Sequence, residues 1–179
     1  MKPTEQTNNE SPLKPQKVAV LTVSDTRTEE TDTSGKTLVE LISQDGHEVL
    51  CKKIVKDDKY MIRSLVATWV AEDEIDAVVT TGGTGLTYRD ITCEALEPLF
   101  DKKIEGFGEL FRSISYEEIA TSTIQSRAVA GISKNTYIFC LPGSTGACKT
   151  GWNKIISKQL DSRFGPCNLV NLKPRLCPN

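Results

Sequence analysis

Two kinds of hydrophobic pattern alternate along the chain. Apolar runs of strand length occur at Lys17–Ser24, His47–Val55, Asp76–Thr81 and Asn135–Leu141. The first should be a central strand, and the third reads as a strand buried on both faces. The second is weaker, with Val49, Cys51, Ile54 and Val55 as its apolar positions. Between the runs, apolar residues recur three and four apart. Leu38, Leu41 and Ile42 follow Asp32, Thr33 and Ser34, one of which caps the helix, and Gly46 ends it. Met61, Ile62, Leu65, Val66, Trp69 and Val70 form a wide stripe behind Asp57 and Asp58, one of which caps the helix. Ile91–Phe100, Leu110–Ile119 and Ala147–Leu160 read as three further helices. The order strand, helix, strand, helix, strand, helix predicts an α/β fold with a parallel sheet and right-handed crossovers. Ala128–Ser133 and Asn135–Leu141, joined by a tight turn at Ser133-Lys134-Asn135, predict a hairpin. One strand of the sheet is therefore antiparallel.

Residues 17–165 are the expected folded domain. Residues 1–16 are polar, carry Pro3, Pro12 and Pro15, and predict disorder or a loosely draped arm. Residues 166–179 carry Pro166, Pro174 and Pro178 and predict an irregular tail. Residues 101–127 break the alternation. Ile104–Glu109, with two glycines, reads as a flexible link, and Thr121–Arg127 is polar and small. This insertion either presents Phe107, Phe111 and Arg112 to another subunit or folds back onto the core.

Composition narrows the class. A hydrophobic content of 38% and a charged content of 26% are those of a soluble globular protein, and 179 residues suffice for one domain. A net charge of -2 leaves no general nucleic-acid or anionic-membrane footprint. No apolar run nears the roughly 20 residues of a membrane helix, and no signal peptide is evident. The six cysteines show no Cys-x-x-Cys spacing, which predicts reduced thiols in the cytoplasm and no zinc site. His47 is the single histidine, expected at the surface, and histidine triads are excluded.

The candidate chemistry lies at strand ends. Thr81-Gly82-Gly83-Thr84-Gly85 follows a buried strand and leads toward a helix, where open α/β sheets bind ligands. Its glycines allow backbone N–H groups to close on a phosphate, and Thr81, Thr84 and Thr87 add hydroxyls. Arg89 supplies a phosphate-sized fork, and Asp90 a carboxylate suited to Mg²⁺. The loop is no Rossmann fingerprint, because Tyr88 stands where a glycine is needed. Gly35-Lys36-Thr37 is no Walker A loop, because Glu30 occupies the position of its first glycine. Ser24 and Asp25 end the first strand, and Pro142-Gly143-Ser144 ends the last. All three segments should converge on one rim, together with either capping aspartate near 57. A bare tight turn is the competing reading of the glycines.

Several motifs together are similar to the MoaB/MogA family of molybdenum cofactor biosynthesis proteins and to the G domain of gephyrin. They are Thr-Val-Ser-Asp (22–25), Thr-Gly-Gly-Thr-Gly (81–85) with Arg89-Asp90, Glu94-Ala95, Gly106–Glu109, Phe111-Arg112, Ser126-Arg127 and Leu-Pro-Gly-Ser (141–144). The last stretches look most like the bacterial MoaB branch. The resemblance implies a three-layer α/β/α sandwich that assembles as a trimer or a pair of trimers, with other cofactor-pathway proteins as further partners. It implies Mg²⁺-dependent adenylylation of molybdopterin by ATP, with Asp57 and Asp90 as the essential, metal-holding pair. Gly82–Gly85 and Arg89 would take phosphates, and Ser24, Asp25 and Pro142–Ser144 the pterin and its phosphate. Cys93 stands where the active branches carry proline at a helix start, a change expected to alter rigidity more than chemistry. The alternative is a pterin carrier of the same pathway without chemistry.

Overall fold

The computed structural model describes residues 6–8 and 10–176. Its sheet is built from β2 (Lys17–Val23), β3 (Glu48–Val55), β4 (Ala77–Thr81), β5 (Lys102–Lys103), β6 (Val129–Ser133) and β7 (Thr136–Leu141). The strand order is β3-β2-β4-β7-β6-β5. β3, β2, β4 and β7 run parallel, and β6 alone is antiparallel to its neighbours. Two-sided burial explains the near-continuous apolar sequences of the central strands. Every residue of β4 and β7 is buried, as is every residue of β2 except Lys17.

Alternation along each strand sorts side chains into two cores. Val18, Val20, Val79, Phe139 and Leu141 face α1 (Thr33–Gln44), α4 (Glu105–Ile119) and α5 (Thr145–Gly151). Ala19, Leu21, Val78, Ile138 and Cys140 face α2 (Lys59–Glu72) and α3 (Thr92–Leu96). Helices therefore cover both faces in three layers. The chain goes from β2 outward to β3 over one face and returns to β4 over the other. Crossovers of one hand that run in opposite directions must use opposite faces. The reversal puts the topological switch between β2 and β4.

Several expectations are corrected. Ile104–Glu109 is no flexible link, since α4 begins at Glu105. Gly108 lets the helix approach β6, because a Cβ there would lie 2.4 Å from the Ala128 carbonyl oxygen. Phe107 and Phe111 are buried rather than presented to a partner, and stack at 6.3 Å. Arg112 lies half-buried over Gly108. Thr121–Arg127 is mostly a 3₁₀ segment, Ala120–Gln125. Two-residue β5 adds an edge strand that its two lysines did not signal.

The ends of the chain pair with each other. β1 (Gln6–Thr7) lies antiparallel to β8 (Phe164–Gly165). Further along, the Lys14 N–H donates to Ser162 Oγ at 3.0 Å. Residues 170–175 form a 3₁₀ helix that accommodates Pro174, where the prolines predict irregular chain. Its apolar side holds it, for Val170 is buried and the Leu169 carbonyl accepts from Tyr137 Oη at 2.7 Å.

His47 is buried, not a surface residue. Its Nδ1 accepts from the Gln16 N–H at 3.2 Å, and its ring meets Trp152 edge-on. Burial pulls its pKa below the usual histidine value, against the opposing pull of Asp45 and Asp161 and with help from Arg163.

Two predictions follow from this packing. Gly108→Ala should cost about 1–3 kcal/mol, because a backbone carbonyl cannot step aside as a side chain can; a wild-type urea midpoint would refute it. The depressed His47 pKa means that the unfolded chain takes up a proton first as pH falls. Its contribution is thus intact above about pH 6.5 and is lost as pH drops toward the folded value. Melting temperatures from pH 7.5 to 5.5 should fall more steeply for the wild type than for His47→Gln.

Candidate functional site

The site grows from the switch between β2 and β4. Gly82 and Gly83 hold φ values of 102° and 66°, which favour glycine. At Gly82 there is also no room, since a Cβ would lie 2.2 Å from the Val23 carbonyl oxygen. The loop is tied on both sides. The Gly82 N–H donates to the Leu141 carbonyl at 3.0 Å, and Thr81 Oγ1 donates to the Pro142 carbonyl at 2.9 Å. From α3, Thr92 Oγ1 donates to the Gly82 carbonyl at 2.8 Å. The loop after β4 thus lies against the end of β2 and the loop after β7. The expected convergence of Ser24-Asp25, Gly82–Gly85 and Pro142–Ser144 is present.

Asp57 joins this rim beside Asp25. The Asp25 N–H donates to Asp57 Oδ2 at 3.0 Å, and the Asp57 N–H donates to Asp25 Oδ1 at 3.2 Å. Arg89 ion-pairs with Asp25. Asp58 is the helix cap, accepting from the N–H groups of Tyr60 and Met61, which frees Asp57 from that duty. Burial raises the Asp57 pKa, and the neighbouring Asp25 charge adds to it, outweighing the Asp25 N–H and Arg89. A carboxylate short of cationic partners is a group that a metal or a cationic ligand would stabilise.

Asp90 is held differently. Its Oδ2 accepts from Thr87 N at 2.8 Å and Thr87 Oγ1 at 2.6 Å. Burial pushes its pKa up, but the Thr87 hydroxyl, the N–H groups of Thr87 and Gly85, and the Arg127 charge bring it below the usual value. The two aspartates are therefore shifted in opposite directions, Asp90 toward and Asp57 away from the charged form. Among the described residues no three of His, Cys, Asp and Glu gather into a metal cage. A Mg²⁺ ion on Asp57 or Asp90 fits this donor set if phosphates and water complete its shell, as this ion commonly requires.

Other predicted residues have local tasks. Ser24 Oγ accepts from the N–H groups of Thr26 and Arg27, which turns the chain out of β2. Ser144 caps α5, accepting from the Ala147 N–H at 3.1 Å. The Gly143 carbonyl accepts from Ser34 Oγ at 3.0 Å. Thr84 is buried, with its carbonyl accepting from the Arg127 N–H.

Three features of the rim lie outside the residues proposed from sequence. Thr33 and Ser34 bring hydroxyls within 3.3 and 3.4 Å of Thr145 Oγ1, where the first turns of α1 and α5 meet. The paired Ser/Thr caps of two helices carried that signal. Of the three candidate caps Asp32 is the N-cap, and it is also a buried ion-pair partner of Lys52 at 2.8 Å. Burial raises the Asp32 pKa, but Lys52, the Gly35 N–H and Thr22 more than reverse it. Finally, Arg127 crosses from the segment before β6 to pair with Glu94 and donate to the Gly85 carbonyl at 2.6 Å. Both are quoted in the family motifs, yet no spacing rule joins positions so far apart.

The fold and rim define an α/β/α protein whose loops gather at the switch point of a mostly parallel sheet, the place where sheets of this kind bind ligands. Residues 19–162 match the family model described as "Probable molybdopterin binding domain". Molybdenum cofactor biosynthesis protein B of Escherichia coli K12 is 55% identical over 154 residues, covering 86% of this chain and 91% of that protein. The Bacillus cereus protein of the same name is 49% identical over 142 residues, covering 79% and 84%. A crystal structure of a molybdenum cofactor biosynthesis protein B superposes with a TM-score of 0.84 at 43% identity, covering 93% of this chain and 98% of the other. The tungsten cofactor synthesizing protein MoaB of Pyrococcus furiosus gives 0.71 at 44% identity, covering 83% and 94%. The chain belongs to the MoaB/MogA family of molybdenum cofactor biosynthesis proteins, on its MoaB-like side. Among the described residues no helix is long and apolar enough to cross a membrane.

The unequal carboxylates give a direct test. Asp57→Asn keeps an acceptor for the Asp25 N–H and removes a charge that burial and Asp25 oppose. The variant should match the wild type in urea stability or gain up to about 1 kcal/mol, the small size reflecting partial exposure. A loss larger than that would show that the charge itself holds the rim together.

Proposed function

We propose that the rim binds molybdopterin and adenylylates it with Mg-ATP. The terminal phosphate of the pterin attacks the α-phosphate, the bond to the β-phosphate breaks, and pyrophosphate leaves. What carries this reading is the meeting of a glycine loop, two differently poised aspartates and the Pro142–Ser144 loop at one switch point. Phosphoryl chemistry of this kind mostly needs positioning and charge neutralisation. N–H groups of Gly82–Gly85 hold phosphate oxygens, with Thr81 and Thr84 shaping the loop. Asp90 and Asp57 hold the metal or orient the nucleotide. Arg89 exchanges its bond to Asp25 for a phosphate. Ser24, Asp25 and the Pro142–Ser144 loop hold the pterin and its phosphate. The setting is cytoplasmic, and the chain works as a homotrimer or a pair of trimers alongside other proteins of the pathway. Exposed Leu110, Ile119 and Ile124, from α4 and the 3₁₀ segment after it, support such contacts better than the buried phenylalanines.

One observation favours a carrier role. One oxygen of the Asp57 carboxylate is already engaged by the Asp25 N–H.

A single assay separates the readings. Purified protein is incubated with molybdopterin, ATP and Mg²⁺, and pyrophosphate and adenylylated pterin are measured. Turnover is expected in the wild type. Asp57→Asn and Asp90→Asn should each lose at least about 100-fold in kcat while keeping their fold and pterin binding. Retained turnover in both variants defeats the proposed site, and pterin binding without pyrophosphate makes the chain a carrier.

A further inference from the structure

Arg127, two residues before β6, makes an unusual set of contacts. Its Nε donates to the Gly85 carbonyl at 2.6 Å, and its Nη2 donates to the Asp90 carbonyl. Nη1 pairs with Glu94. Its backbone N–H donates to the Thr84 carbonyl at 3.0 Å, and its carbonyl accepts from Cys93 Sγ at 3.2 Å. All these partners lie between residues 84 and 94. One residue therefore grips both ends of the turn that carries Asp90.

Apart from Arg127, the turn is tied to the rest of the rim by Arg89, whose largely exposed side chain pairs with Asp25. Leu86 and Tyr88 point outward, 66% and 89% exposed. Within the turn, Thr87 and the Gly85 N–H hold the Asp90 carboxylate relative to the turn itself. The Arg127 guanidinium ties the turn to α3 and to the segment before β6. It bridges two carbonyls and a carboxylate in one plane, a task a lysine ammonium cannot reproduce. Glu94 orients the fork from α3. Arg127 is in turn seated by Arg112, whose Nη1 reaches the flanking carbonyls of Ser126 and Ala128 at 3.4 and 3.5 Å.

We propose that Arg127, oriented by Glu94, is a positioning residue that sets the Gly85–Asp90 turn and so the placement of the Asp90 carboxylate. The catalytic half of this statement rests on the adenylylation reading, but the mechanical half does not. Hydrogen exchange of the intact protein, read by mass spectrometry, tests the mechanics. In Arg127→Lys the peptide spanning residues 84–92 should exchange at least tenfold faster, while peptides from α2 and β4 keep wild-type protection. Glu94→Gln should show a smaller effect in the same peptide. Unchanged exchange at 84–92 in Arg127→Lys overturns the proposal, as does acceleration spread evenly over the domain, which would mark a general stabilising role. Where wild-type turnover exists, Arg127→Lys should lower kcat more than tenfold with KM for the pterin within about threefold, the pattern of a misplaced group rather than lost binding. An unchanged kcat overturns the link to Asp90. Absence of wild-type turnover defeats the adenylylation reading, and with it the catalytic half, and leaves the exchange result to decide the clamp.

Discussion

The close approach of Gly82 to the end of β2 is the contact on which the rim depends. With the Val23 carbonyl 2.2 Å from where a Cβ would stand, the chain leaving β4 can press against β2 only as glycine. The Gly82 N–H simultaneously reaches the last carbonyl of β7. Three parallel strands are thus drawn together at one point, where the winding of the sheet reverses. Everything proposed to touch ligand hangs from this junction. The loop after β2 carries Asp25, the loop after β3 carries Asp57, the loop after β4 carries Asp90, and the loop after β7 supplies Pro142–Ser144. A larger residue at 82 would push apart the strands that bring these groups together.

The junction concentrates negative charge, and the structure manages it with three cations in separate places. Arg89 meets Asp25 beside Asp57, Arg127 meets Glu94 beneath Asp90, and Lys52 meets Asp32 under the first turn of α1. Asp57 ends with a raised pKa. Its neighbours Asp32, Asp90 and Glu94 all have lowered values, each with hydrogen bonds or cations that outweigh burial. The deficit is local rather than general. It sits beside Arg89, whose side chain is largely exposed and pairs with Asp25.

Most of the fold was legible because its signals are local. Strand runs, helix stripes and the Lys134 turn each lie within a dozen residues, and burial on both faces left β2, β4 and β7 almost uniformly apolar. The rim was legible for the same reason, since strand ends are known once strands are known. What escaped depends on contacts distant in sequence. Glycines at 106 and 108 read as flexibility because nothing local reveals that the chain entering β6 lies against Gly108 at Ala128. His47 reads as a surface residue until Trp152 arrives from the far end of the chain. The hydroxyl cluster of Thr33, Ser34 and Thr145 needs two helix starts to meet, and the grip of Arg127 spans more than thirty residues. Two-residue strands such as β1, β5 and β8 have no periodicity to detect.

Cys93 shows how such a long-range contact can change the meaning of a local substitution. As the second residue of α3 it has no intrahelical partner for its N–H, so proline and cysteine serve the helix ladder about equally. The sequence argument stops there, with a modest loss of rigidity. In the fold the thiol is buried, and burial pushes its pKa up to about 11, so it remains a neutral S–H donor. That hydrogen is directed at the carbonyl of Arg127 at 3.2 Å. Proline has no such donor. The cysteine gives up the ring's fixed φ at the helix start and adds a tie between α3 and the residue that grips the Asp90 turn. The rigidity lost from the backbone of α3 is thereby offset by a side-chain contact, and the contact leads to the same turn.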